Sequence, residues 1–262
     1  ASFGGKAGFI GKTAQDQFGS VFAHDIRAAG VTFNTPAAEP GSDPTGCCLI
    51  LVTPDGQRTM NTFLGVSPQL GGGEVDAGLI RSGRIVYLEG YLFDRPEAKA
   101  AFRQAAVIAA KAGRQVALSL SDAFCVDRHR AEFMSLIRAS VDILFANEAE
   151  ITSLYQTSSF EEAARRAAAD TKLAAITRSE KGSVILGGGR SITIAAEPVA
   201  RVVDTTGAGD LYAAGFLLGV ARGLDLETAG RLGSLAAAEI ISHVGARPEV
   251  SLAELARKKG LL

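Results

Sequence analysis

The sequence predicts an α/β fold: a central, mostly parallel sheet with helices on both faces and a small β-rich lid. Three observations predict it. From residue 84 to 145, short apolar runs alternate with helical stretches, the texture of parallel strands covered by helices. Two β-rich runs flank Pro54-Asp55-Gly56, a turn whose Pro and Gly preset the dihedrals it needs. No linker rich in Pro or Ser and no internal repeat interrupts the chain, so residues 1–262 read as a single α/β domain with a β-rich insertion at 34–66.

Each element has its own signal. Phe18, Val21, Phe22 and Ile26 fall at helical spacing and stop at Gly30, predicting an amphipathic helix over 18–29. Cys47 to Thr53 and Thr59 to Leu64 form the arms of the hairpin. Ile85 to Leu88, Val116 to Leu120 and Ile143 to Phe145 read as strands, with helices near 96–112 and 128–139 between them. Leu173 to Ile176, Val184 to Leu186 and Ile192 to Ile194 read as further strands, and Gly187-Gly188-Gly189 marks a tight turn. Helices near 209–223, 225–243 and 251–259 close the chain, and Phe102, Phe133 and Phe216 fall on core-facing positions.

Composition narrows the function. A chain of 262 residues, 47% hydrophobic and 21% charged, can bury one sizeable core, which argues against disorder. With 27 basic against 28 acidic side chains there is no excess to neutralise a nucleic-acid backbone, and the strongest apolar run, between Asp210 and Arg222, is too short for a bilayer. Small-molecule chemistry remains. Cys47, Cys48 and Cys125 make neither a disulfide framework nor a C-x-x-C metal pair, which fits a reducing cytoplasm. His24, His129 and His243 stand at no metal-ligand spacing. The chain opens Ala1-Ser2-Phe3 with no initiator Met and no signal pattern, so a processed or truncated chain is expected.

The sharpest local signal is Asp204-Thr205-Thr206-Gly207-Ala208-Gly209-Asp210, a glycine-rich turn before Leu211, Ala214, Gly215 and Leu218 at helical spacing. Glycines let a backbone approach a ligand, and the free N–H groups and dipole of a helix start attract an anion such as phosphate. Asp210, in the first helical turn, would stand beside that charge, placed to take a proton from an attacking hydroxyl. A bare G-x-G-D is more often an ordinary capped turn, so the larger context has to decide. Tyr212 occupies the third-glycine position of a dinucleotide fingerprint, which counts against a dehydrogenase, and no G-x-x-x-x-G-K-[ST] run exists.

Asp204 to Asp210 with Gly215-Phe216 resembles the C-terminal signature of the PfkB carbohydrate kinases, the ribokinase-like family. Phe9-Ile10-Gly11-Lys12 with Asp16-Gln17-Phe18-Gly19, Asn147-Glu148-Ala149-Glu150 and Gly245-Ala246-Arg247-Pro248 resemble the same family in order, over nearly the whole chain. The resemblance implies ATP and Mg²⁺ as cofactors, Asp210 as base, and the amides of Gly207, Ala208 and Gly209 as an anion hole. It implies that Asn147 and Glu150 help hold Mg²⁺ through water; from the residues alone they read as a helix cap. Thr177 and Gly182 match the ends of the nucleotide segment T-x-G-x-x-G, with Ser179 replacing its middle glycine, and Gly245 falls in the last motif. Asp204 and Thr206 match positions that hold K⁺ in some members; capping the turn is the equal alternative.

For the acceptor, Arg58 to Gly65, Glu89-Gly90-Tyr91-Leu92 and Gly233 to Ala237 are similar to the adenosine-kinase-like bacterial branch. A ribokinase- or fructokinase-type sugar kinase, or a silent ligand-binding module on the same fold, stays open. Members begin with a strand bearing an acidic substrate contact and a later Gly-Gly segment, and the sequence starts after both, so half of the acceptor site is expected to lie outside it. The hairpin would act as a lid or as the contact of a homodimer.

Overall fold

The computed structural model describes residues 1–262. In chain order the elements are β1 (Ala7–Phe9), α1 (Gln17–Ala28), β2 (Val31–Phe33), β3 (Cys47–Val52), β4 (Arg58–Phe63), α2 (Ala77–Ser82), β5 (Ile85–Glu89), α3 (Pro96–Lys111), β6 (Gln115–Ser119), α4 (Ala123–Ser140), β7 (Ile143–Asn147), α5 (Glu148–Tyr155), α6 (Phe160–Asp170), β8 (Leu173–Thr177), β9 (Ser183–Gly187), β10 (Arg190–Ile194), α7 (Ala208–Arg222), α8 (Leu226–Ile240) and α9 (Leu252–Lys258).

Six strands form the main sheet in the order β10-β9-β8-β7-β6-β5. β5 to β8 run parallel, while β9 and β10 fold back antiparallel at one edge. Burial follows from the sequence: Ile143 to Ala146 of β7 are all buried, an apolar run covered on both faces. On one face Phe102, Val126, Phe133, Ile151 and Ala167 pack against Leu118, Leu144 and Ile176. On the other, Phe216 and Ala229 pack against Ala117, Ile143 and Ala175. The expected α/β fold with helices on both faces is the fold observed.

α7 and α8 lie close because Gly215 lacks a side chain; a Cβ there would stand 2.4 Å from the Leu232 carbonyl oxygen. Boundaries shift for local reasons. α4 begins at Ala123, five residues before the expected start, because Asp122 caps it by accepting from the Cys125 amide at 3.2 Å. It is kinked at His129, whose φ of −125° is non-helical. α8 stops at Ile240 instead of 243. Two small sheets stand apart: β1 with β2, parallel, and the expected hairpin β3 with β4, antiparallel. No helix is long and apolar enough to cross a membrane.

Candidate functional site

Parallel strands put their carboxyl ends on one side, so β5 to β8 deliver Glu89, Ser119, Asn147 and Thr177 to a common edge, the place where open α/β sheets take ligands. α7 is tied over the same edge. Tyr212 donates to Ser183 Oγ at 2.7 Å, and Ser183 is the register partner of Thr177.

At the mouth of α7, Gly207 is the N-cap with φ 81°, a left-handed conformation that suits glycine. The turn before it is fixed by Asp204, which is buried and accepts from the Thr206 amide at 2.9 Å, the Thr206 hydroxyl at 2.6 Å and the Gly245 amide at 3.1 Å. Burial works against its charge, but the Thr206 hydroxyl, these amides and nearby Arg58 outweigh it and hold Asp204 below the usual carboxylate range. The Ala208 amide donates to Thr205 O at 3.3 Å, and the first helical bond runs from Leu211 to Gly207. The amides of Gly207, Gly209 and Asp210 donate to no protein atom. A Cβ on Gly209 would meet nothing within 4 Å. The result is a set of open donors at the positive end of a helix.

Asp210 opens to this mouth. Its carboxyl is accessible yet crowded by protein, which pushes its pKa up, with Arg58 pulling it down. Across the mouth, Glu89 accepts from Tyr87 Oη at 3.0 Å and from the Ser121 hydroxyl. Burial raises Glu89 to about 7 against the Ser121 bond, with the Asp210 charge adding. Glu150 is likewise raised to about 7, by burial first and then by the charges of Glu89 and Asp122, against the Asn147 amide. Tyr91 is pushed up to about 12 by burial and by Asp122, Glu89, Glu150 and Asp210. These carboxylates therefore share one field.

Asn147 and Glu150 form a complete capping box. Asn147 Oδ1 accepts from the Glu150 amide at 2.8 Å, Glu150 Oε2 accepts from the Asn147 amide at 3.0 Å, and Asn147 Nδ2 donates to Glu150 Oε1 at 2.6 Å. In the 177–182 segment Ser179 adopts φ 52°, so serine takes the left-handed conformation a glycine would, at a cost of about 1–2 kcal/mol. Gly182, at φ 81°, is required by packing: a Cβ would lie 2.0 Å from the Ile194 carbonyl oxygen. The hairpin tip rests on the signature loop. Arg58 Nη1 donates to Thr205 Oγ1, Arg201 Nη2 donates to Pro54 O at 3.3 Å, and Gly56 faces Val202. A cavity of about 580 Å³ beside Asp16, Arg27 and Phe33 lies elsewhere.

With that geometry in view, residues 1–252 match the pfkB family carbohydrate kinases. The chain belongs to the pfkB carbohydrate kinase family. A "probable sugar kinase protein" from Rhizobium etli CFN 42 superposes with a TM-score of 0.97 at 49% identity, over 100% of this chain and 79% of that one. An adenosine kinase from Sinorhizobium meliloti gives 0.96 at 49% identity, over 98% and 79%. An "uncharacterized sugar kinase" of Archaeoglobus fulgidus is 28% identical over 91% of this chain and 92% of its own length.

For this pfkB kinase, the structure brings Gly207, Ala208, Gly209 and Asp210 together with Asp204, Thr206 and Gly245, and sets Asn147, Glu150 and Thr177 along the same edge. Glu89 stood out in the sequence only within the stretch Glu89-Gly90-Tyr91-Leu92, without a role of its own, and no motif marked Ser121, Asp122 or the contact between Arg58 and Thr205. Glu89 and Ser121 stand 32 positions apart and meet only because β5 and β6 end in register. One signal was legible: a lone glutamate closing the apolar run Ile85 to Leu88.

Proposed function

We propose that this kinase transfers the γ-phosphoryl group of ATP to a hydroxyl of a nucleoside, adenosine first, in a reducing cytoplasm. The observation that carries the proposal is the mouth of α7, where three amides without protein partners stand beside Asp210. The acceptor assignment leans on the 49% identity to an adenosine kinase. The second reading, a sugar acceptor of the ribokinase or fructokinase type, draws on the sugar kinases among the relatives.

In this mechanism Asp210 accepts the proton of the acceptor hydroxyl as its oxygen forms the new bond to phosphorus and the bond to ADP breaks. The open amides of Gly207, Gly209 and Asp210 face the charge that builds on the transferred group, whereas the Ala208 amide, expected in the same set, is turned to Thr205 O at 3.3 Å. Arg58, brought by the hairpin acting as a lid, adds positive charge at Thr205. Asn147, Glu150, Thr177 and Gly182 would line the nucleotide.

The residues fit Mg²⁺. Glu89, Glu150, Asp122 and Asp210 supply oxygen donors in one field, and a divalent cation would offset the burial, and the lesser repulsion, that lift Glu89 and Glu150. No three acidic, His or Cys side chains are arranged to ligate a metal directly, so Asn147 and Glu150 would hold it through water. Bound, it would neutralise phosphate charge. Asp204, buried, held ionised and in no salt bridge, is where with Thr206 we place a K⁺ requirement. The outer face of the hairpin, with Leu49, Leu51 and Phe63 exposed, is where we place a homodimer contact.

An ADP-release assay over adenosine, other nucleosides, ribose and fructose tests the proposal, with turnover on adenosine expected. Asp210→Asn is expected to lose turnover by roughly 10³-fold while still binding ATP. Equal turnover by the two proteins removes the base assignment, and saturable binding without ADP release would show a silent module.

A further inference from the structure

Glu239 is a carboxylate in an unfavourable place. It sits in the last turn of α8, where the negative end of the helix dipole opposes an acid, and its side chain is only 7% exposed. Oε1 accepts from the Glu249 amide at 2.9 Å and lies 3.2 Å from His243 Nε2. Oε2 is buried and has no hydrogen-bond partner. A buried polar atom left unpaired is destabilising, so local stability does not account for this residue.

What Glu239 closes is the loop 241–249. Its two donors come from that loop, near each end, and His243 Nδ1 lies a further 3.8 Å from Glu249 Oε1. The same loop makes two bonds to the segment before α7: Val203 donates to Ile241 O at 2.8 Å, and Gly245 donates to Asp204 Oδ2 at 3.1 Å. Asp204 in turn fixes Thr206 and the entry to the open amides. A chain of direct contacts thus runs from Glu239 through the loop and Gly245 to Asp204.

We propose that Glu239 is a positioning residue for phosphoryl transfer: it clasps loop 241–249 so that the Gly245 amide holds Asp204 and keeps the mouth of α7 in shape. This role rests on the proposed kinase reaction, but the clasp is readable without it. In Glu239→Ala, amide hydrogen exchange is expected to quicken by tenfold or more at Val203 and Gly245, with α3 and β6 unchanged. The same variant is expected to raise the KM for ATP and lower kcat together by about tenfold, leaving the acceptor KM alone. Glu239→Gln, which keeps an acceptor oxygen for the Glu249 amide, is expected to restore both readouts to within about twofold; failure of that rescue overturns the clasp. Unchanged exchange at Gly245, or an equal rise throughout the protein, also overturns it. Quickened exchange with unaltered ATP dependence overturns the link to catalysis. If the unaltered protein shows no phosphoryl transfer, the kinase reading fails while the exchange data still decide the clasp. His243→Ala, which removes one partner from outside the helix, provides the same comparison if Glu239→Ala does not fold.

Discussion

Two helices begin at the ligand edge of this sheet, and they begin in opposite ways. α5 satisfies itself: Asn147 and Glu150 exchange both bonds of a capping box and add a third between their side chains. α7 starts on a glycine with φ 81° and no side-chain cap, leaving the amides of Gly207, Gly209 and Asp210 without protein partners. A helix start that serves stability spends its donors internally, whereas one that serves an anion keeps them open. In the proposed reaction this contrast favours α7 for the phosphate and gives α5 a supporting role, with Glu150 contributing charge more than donors.

The contrast can be broken or sharpened by substitution. The largest effect, after Asp210→Asn, is expected from Gly207→Ala. Its left-handed backbone strains any L side chain by about 1–2 kcal/mol, and the new Cβ would meet Ala246 Cβ at 3.3 Å. Turnover is expected to fall by roughly 10²-fold, the scale of losing one oxyanion donor. At the other helix, Asn147→Ala is expected to cost about 1 kcal/mol of stability, or about 2–4 °C in Tm for a chain of this size, with a smaller loss of turnover. Equal kinetic losses at Gly207 and Asn147 would erase the distinction between the two helix mouths.

The smallest effect is a pH dependence. Glu89 is raised from 4.5 to about 7, so the folded protein holds this proton more tightly than the unfolded chain. Its contribution to stability is full below about pH 4.5 and is lost as the pH rises through about 7. Glu89→Gln, melted without Mg²⁺, is therefore expected to gain a few degrees in Tm relative to the unaltered protein between pH 5 and pH 8. A pH-independent difference would mean that Glu89 does not carry the strain.

Much of this was legible in the sequence. The alternation from residue 84 placed β5, α3, β6 and β7, and Pro54-Asp55-Gly56 placed the hairpin, because period and turn chemistry are local. β1 and β2, three residues each, are too short to show a period. α6 had a readable start in Ser159, which caps it by accepting from the Glu162 amide at 3.2 Å, but its alanine-rich body carries a weak apolar signal. At the site, the loop Asp204 to Asp210 could be read because its chemistry is contiguous. The acidic field could not, since Glu89, Asp122, Glu150 and Asp210 converge only through strand register and the placement of α7.

The most direct test of the central claim is a crystal structure with Mg²⁺, an unhydrolysable ATP analogue and adenosine bound. The terminal phosphate is expected within hydrogen-bonding distance of the open amides of Gly207, Gly209 and Asp210, with the Asp210 carboxylate against the acceptor hydroxyl. Phosphates seated away from the start of α7, or Asp210 turned from the acceptor, would contradict it.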